Sequence, residues 1–131
     1  MSLITTPISH GELLDKITIL EIKAAQIVDA AKLANVRHEL DLLDGIWNAD
    51  AAAAVDLGDA RARLKAVNQK LWVIEDDIRL KEKAQAFDAE FIALARAVYV
   101  TNDERAAIKR EINVKLGSAL IEEKSYQPYQ A

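Results

Sequence analysis

A chain of 131 residues with a formal net charge of −4 offers no general cationic field for nucleic acid or anionic lipid. The absence of cysteine removes disulfide frameworks, thiolate nucleophiles and cysteine-based zinc or iron–sulfur sites together. Hydrophobic residues make up 51% but aromatics only 5%, and with four Gly and two Pro the balance favours helix over sheet. An all-α fold in a single helical domain over residues 1–131 is expected.

The leading stretch Met1-Ser2-Leu3-Ile4-Thr5-Thr6-Pro7 has no basic region followed by a long apolar run, so a cytoplasmic location is expected. No segment approaches transmembrane length, and no membrane insertion is expected. The first helix signal is Ile8-Ser9-His10-Gly11-Glu12-Leu13. Ser9 is placed to accept from the Glu12 amide while the Glu12 side chain returns to the Ser9 amide, a capping box. Ile8 and Leu13 match the accompanying hydrophobic staple.

From residue 13 to 98 the apolar residues recur at spacings of three and four, interrupted by the turn-forming cluster Val55-Asp56-Leu57-Gly58-Asp59. This pattern predicts a long antiparallel helical hairpin, with Gly45 and Trp47-Asn48-Ala49-Asp50 as a competing earlier stop. Within each arm the apolar stripe changes sides. Leu13, Ile17, Leu20, Ala24, Ile27 and Ala31 share one face, and Leu33, Val36, Leu40, Leu43 and Trp47 the opposite one. Ala60, Leu64, Val67, Leu71 and Ile78 likewise give way to Leu80, Phe87, Phe91, Leu94 and Val98. The switches fall near residues 32 and 79, where the arms are expected to kink or to turn half of each stripe toward another surface. A homodimer would cover such a surface.

Thr101-Asn102-Asp103-Glu104 repeats the S/T-x-x-E pattern and predicts a shorter third helix, running to about Leu116. Gly117 suits the left-handed residue that closes a helix, and residues 118–131, with Pro128, are expected to form a tail.

Chemistry is sparsely signalled. His10 and His38 lack an HExxH or ExxH setting, so no metal site is expected, and Arg61, Arg63 and Lys65 read as solvated surface. There is no G-x-S-x-G, P-loop or G-x-G-x-x-G, so no cofactor is expected and no catalytic residue stands out. Glu12 with Lys16, Asp77 with Lys81 and Glu111 with Lys115 have the i,i+4 order of helix support pairs. The two capped starts remain, because free amides there can hold an anion and Gly11 admits close approach. The hairpin returns residue 98 toward residue 13, so Ser9, Gly11, Glu12, Asp15 and Lys16 are expected to share one pocket with Asn102, Asp103, Arg105 and Lys109. Lys16, Arg105 and Lys109 would bind negative charge there, and Asp15 or Glu12 would handle protons.

The run Ser9-His10-Gly11-Glu12-Leu13-Leu14-Asp15-Lys16-Ile17-Thr18-Ile19-Leu20-Glu21-Ile22-Lys23, together with Asn102-Asp103-Glu104-Arg105-Ala106-Ala107-Ile108-Lys109-Arg110-Glu111-Ile112-Asn113, resembles an uncharacterised bacterial family. That resemblance implies association with glycosyltransferase and surface-polysaccharide genes and supplies no catalytic residue. Leu14-Asp15-Lys16-Ile17 is also similar to part of the first helix of all-helical chorismate mutases. Gly11, Glu12, Lys23 and Gln26 stand near the positions of that family's substrate-binding arginines, so mutase activity does not carry over. The function expected first is that of a non-catalytic helical interaction or accessory protein, homodimeric or with a protein partner. The alternative is an anion or sugar-phosphate binding module, or an enzyme, at the paired helix starts.

Overall fold

The computed structural model describes residues 2–130, so Met1 and Ala131, the outer bounds of the expected domain, lie outside it. Four α-helices follow in order, α1 His10–Gln26, α2 Ala30–Ala49, α3 Ala60–Lys83 and α4 Ala89–Lys115, with a single 3₁₀ turn Ala51–Ala54 between α2 and α3. No strand occurs among the described residues. The expected all-helical, antiparallel arrangement is what the chain adopts, with more breaks than the long hairpin implied.

Helix α1 starts where its cap predicts, since Ser9 Oγ accepts from the Glu12 amide at 3.1 Å. The return half of the box is replaced, because the Glu12 carboxylate engages Lys109 and Lys16 instead. The helix stops at Gln26, and Ile27 takes extended geometry. Two residues later Asp29 caps α2 by accepting from the Lys32 amide at 3.0 Å. The β-branched pair Ile27 and Val28 gives up little in leaving the helix, and the Asp29 oxygen competes for a free amide.

Helix α3 ends in the same spirit. Gln85 adopts a left-handed φ of 55°, while the amides of Ala86 and Gln85 bond back to the carbonyls of Lys81 and Glu82 at 3.0 Å each. That is a Schellman closure built on a residue other than glycine. Asp88 then caps α4, accepting from the Phe91 amide at 3.0 Å. The stripe switches near 32 and 79 therefore mark neighbouring helix ends, at 27–29 and 84–88, and not kinks in continuous helices.

The expected helix start at Thr101 is overturned. Thr101 lies in the middle of α4, 1% exposed, and α4 is the longest helix of the fold rather than a short one. The S/T-x-x-E spacing caps a helix only where the first residue is extended. Here burial of Thr101 keeps the chain helical through it. The end of α4 is as read: Gly117, at φ 61°, closes a Schellman motif in which the Ser118 amide bonds the Asn113 carbonyl at 2.9 Å. Residues 118–130 carry no regular secondary structure.

The helices pair as two antiparallel hairpins. His10 at the start of α1 meets Trp47 at the end of α2 edge to face, with ring centroids 6.3 Å apart. Along the other hairpin Arg63 meets Glu111, Asn68 meets Arg105, and Lys81 meets Glu90. Helix α1 is central and packs on all three others. Leu13, Leu14 and Ile17 from α1, Trp47, Ala52, Ala60, Leu64, Ile108 and Ile112 form one buried cluster, flanked by Leu40, Leu43, Leu57, Val67 and Leu116. Each of the larger aliphatic side chains there contributes about 1.5–3 kcal/mol by leaving water. Helix α2 buries only Trp47, and residues 75–100 bury no side chain.

Candidate functional site

The core is crossed by polar groups where α1 lies over α3 and α4. Asp15, Thr18, Asn68, Thr101, Lys109 and Asn113 are all buried. Buried polar atoms are as a rule hydrogen-bonded, with His10 Nδ1 an exception here, so their partners define the geometry.

At the start of α1 the free amides are taken by the protein itself. Asn113 Oδ1 accepts from the Gly11 amide at 2.7 Å, and Ser118 Oγ accepts from the His10 amide at 3.4 Å. A Cβ on Gly11 would stand 2.6 Å from the Lys109 carbonyl oxygen and 2.9 Å from Asn113 Oδ1. Gly11 thus serves a close helix crossing, which corrects its expected role of admitting a ligand. The crossing also fills the expected anion cradle with an asparagine oxygen.

Behind it, Lys109 Nζ lies 2.7 Å from Glu12 Oε2, 2.9 Å from Glu122 Oε1 and 3.9 Å from Asp15 Oδ2. Burial pushes the ammonium down, but hydrogen bonds to Glu12 and Glu122 and the charge of Asp15 hold its pKa above the ordinary lysine value. A lysine kept protonated is neither base nor nucleophile at neutral pH, and it acts as a fixed counter-charge. Among the described residues no three His, Asp or Glu side chains gather as metal ligands.

A second chain of bonds runs from the same α1 residues to a surface groove. Asn68 Nδ2 donates to Asp15 Oδ1 at 2.8 Å and to Thr18 Oγ1 at 3.0 Å. Thr18 Oγ1 itself donates to the Asp15 carbonyl at 3.0 Å. Asn68 Oδ1 then accepts from Arg105 Nη1 at 3.3 Å, and Asn102 Oδ1 accepts from Arg105 Nη2 at 2.8 Å. Arg105 stands at the wall of a groove of about 480 Å³ lined also by Ile19, Ile22, Leu71, Trp72, Glu75 and Arg79.

Segments 9–16 and 101–110 therefore do converge, through the crossing of α1 on the middle of α4 and not through two meeting helix starts. Ser9, Gly11, Glu12, Asp15 and Lys109 share the crossing, and Arg105 with Asn102 continues it toward the groove. Lys16 stays exposed beside Glu12, and Asp103 is exposed, near Tyr129. Asn68, Thr18, Asn113, Glu122 and Trp72 were not foreseen. Asn68 had a readable signal, because it falls between Leu64 and Leu71 on the buried stripe of α3.

A family model described as a family of unknown function, DUF6165, matches residues 4–130. The chain belongs to this family. The DUF6165 match takes in both resembling runs, the polar crossing, the groove and nearly all of the tail. No curated protein and no solved structure matches the chain.

Proposed function

We propose that this DUF6165 member is a non-catalytic helical interaction protein that self-associates through the outer ends of α3 and α4. The observation that carries the reading is the exposure of Leu80 at 63%, Phe87 at 54% and Ile92 at 57% on the part of the hairpin that α1 does not reach. An apolar surface of this kind is the usual mark of an association site.

A second copy suits it because both halves of a self-complementary contact lie on the same tip. Phe87, edge to face with Phe91 at 5.2 Å, follows Ala86, which with Leu80, Ala84, Ala93 and Leu94 lines an open hollow of about 710 Å³. Of the charges lining it, Lys81 bonds Asp88 at 3.0 Å and Glu90 at 2.9 Å, and Asp77 has no ion pair among the described residues. Such a tip does not select a polyanion. No helix among the described residues is long and apolar enough to cross a membrane. A cytoplasmic accessory role in bacterial surface-glycan biosynthesis is the setting we propose, and it rests on the family resemblance alone.

Light scattering across a wide concentration range tests the self-association. The expected result is a dimer mass that falls to the monomer mass in Leu80→Asp and in Phe87→Asp, with the far-ultraviolet helix signal retained. A monomer mass for the natural chain at every concentration overturns the proposal.

A further inference from the structure

We infer that the groove between α1, α3 and α4 is a binding site for a small organic anion, whose carboxylate or phosphate group sits on Arg105 and whose apolar body lies against Trp72. Three described arginines are not fully exposed: Arg61, Arg63 and Arg105. Arg61 pairs with Glu21, and Arg63 with Asp59 and Glu111. Arg105 has no carboxylate within ion-pair distance among the described residues, only the neutral oxygens of Asn68 and Asn102. A part-buried guanidinium normally has a counter-charge in contact; Glu122 acts on Arg105 only from beyond ion-pair distance, which leaves the guanidinium open to an incoming anion.

The guanidinium is also fixed in advance. Both amide hydrogens of Asn68 are committed, one to the acceptor-only carboxylate of Asp15 and one to a Thr18 hydroxyl whose own hydrogen goes to the Asp15 carbonyl. Asn68 must therefore turn its oxygen toward Arg105, and Asn102 holds the other arm. Two bonds leave three of the five guanidinium N–H groups for a ligand, enough for a two-pronged grip on a carboxylate or phosphate.

The rest of the groove defines the ligand class. Ile19, Ile22, Leu71 and Trp72 supply an apolar wall, and about 480 Å³ falls within the range of small-molecule sites. Arg79, bonded to Glu75, and the carboxylate of Asp76 line the same groove. With two cations and two carboxylates the lining is neutral overall, which favours one compact anionic group on Arg105 over a polyanion. The groove shares no lining residue with the hollow at the Leu80 and Phe87 tip, so Arg105 and Trp72 test it separately from the proposed self-association.

The test is a nuclear magnetic resonance titration of the intact chain with benzoate, phenyl phosphate, inorganic phosphate and neutral benzyl alcohol. The Arg105 Nε–H and Trp72 indole signals are followed, with the core Trp47 indole as an internal reference. Saturable shifts of the first two with benzoate and phenyl phosphate are expected, and the tighter of these probes names the anionic group. Arg105→Gln should weaken both by about tenfold or more, and Arg105→Lys by less because it keeps charge without the fork. Trp72→Ala should reduce the aromatic anions toward inorganic phosphate and leave inorganic phosphate unchanged. Shifts that rise linearly without saturation, binding of benzyl alcohol as tight as benzoate, or equal affinity in natural chain, Arg105→Gln and Arg105→Lys overturns the site.

Discussion

Gly11 and Lys109 meet backbone to backbone: the space that a side chain at Gly11 would need is occupied 2.6 Å away by the Lys109 carbonyl oxygen. The crossing places Asn113 Oδ1 on the Gly11 amide at 2.7 Å, so moving α1 outward also breaks a buried hydrogen bond. Gly11→Ala should destabilise the fold by about 1–3 kcal/mol, the usual cost of overpacking, despite the better helix propensity of alanine. Urea unfolding monitored by circular dichroism measures it. A stabilised Gly11→Ala chain would mean that α1 does not approach α4 this closely.

Asn68 is predicted to be more sensitive to chemistry than to size. Asn68→Leu leaves the buried Asp15 carboxylate without its 2.8 Å donor and should cost about 1–3 kcal/mol. Asn68→Asp keeps the shape and gives Arg105 a partner, but it sets two carboxylates against each other, so it should also cost stability at neutral pH. Its deficit should shrink on acidification, as protonation of one carboxyl restores a donor between them. Denaturation midpoints of both variants at neutral and mildly acidic pH separate these effects. Equal deficits that ignore pH would remove the Asp15–Asn68 bond from the account.

Continuity of α4 through Thr101 makes a direct prediction for hydrogen exchange. Amides of Asn102, Asp103 and Glu104 lie mid-helix with carbonyl partners one turn back, and they should exchange slowly. A helix beginning at Thr101 would leave the Asn102 and Asp103 amides in its unbonded first turn, exchanging fast, with the Glu104 amide held only by the cap. The two arrangements differ most at Asp103, whose side chain is exposed and whose amide is protected only by the helix ladder.

These residues also show where sequence reasoning stopped. Ser9, Gly117 and the turn near Gly58 were legible because each is decided within a few residues: a side-chain oxygen on an amide at 3.1 Å, or a left-handed φ of 61° or 63°. The breaks at 27–29 and 84–88 contain neither Gly nor Pro, and Gln85 takes the left-handed position that glycine usually fills. Only the switch of the apolar stripe hinted at them, displaced by several residues. Thr101 misled because a local pattern was overruled by burial. In the site, Asp15, Arg105 and Lys109 drew notice by charge. Asn68, Thr18 and Asn113 matter through partners on other helices, which no local spacing reveals.

The tail is tied to the crossing by Lys109 and Glu122, 2.9 Å apart, and this gives a pH window with both edges defined. The hydrogen bond from Lys109 holds the Glu122 carboxyl below the ordinary carboxylate range against the opposing effect of burial. A lowered carboxyl contributes stability above its unfolded pKa and loses it as pH falls through the folded one. Lys109, held above the ordinary lysine value by Glu12 and Glu122 against desolvation, contributes below that value and loses it as pH rises through the raised one. The tether is therefore complete between the two ordinary values and fails at either extreme. Glu122 is 44% exposed, so solvent keeps its share of global stability under about 1 kcal/mol. The effect should appear instead as local release: Glu122→Gln at neutral pH should lower the backbone order parameters of residues 120–123 toward those of the natural chain in acid, leaving the α1 and α4 core amides protected. Identical tail order in both chains at neutral pH would instead assign the tail's attachment to the Arg110–Glu123 pair at 2.8 Å and the Tyr99–Tyr129 contact, whose rings lie 5.2 Å apart.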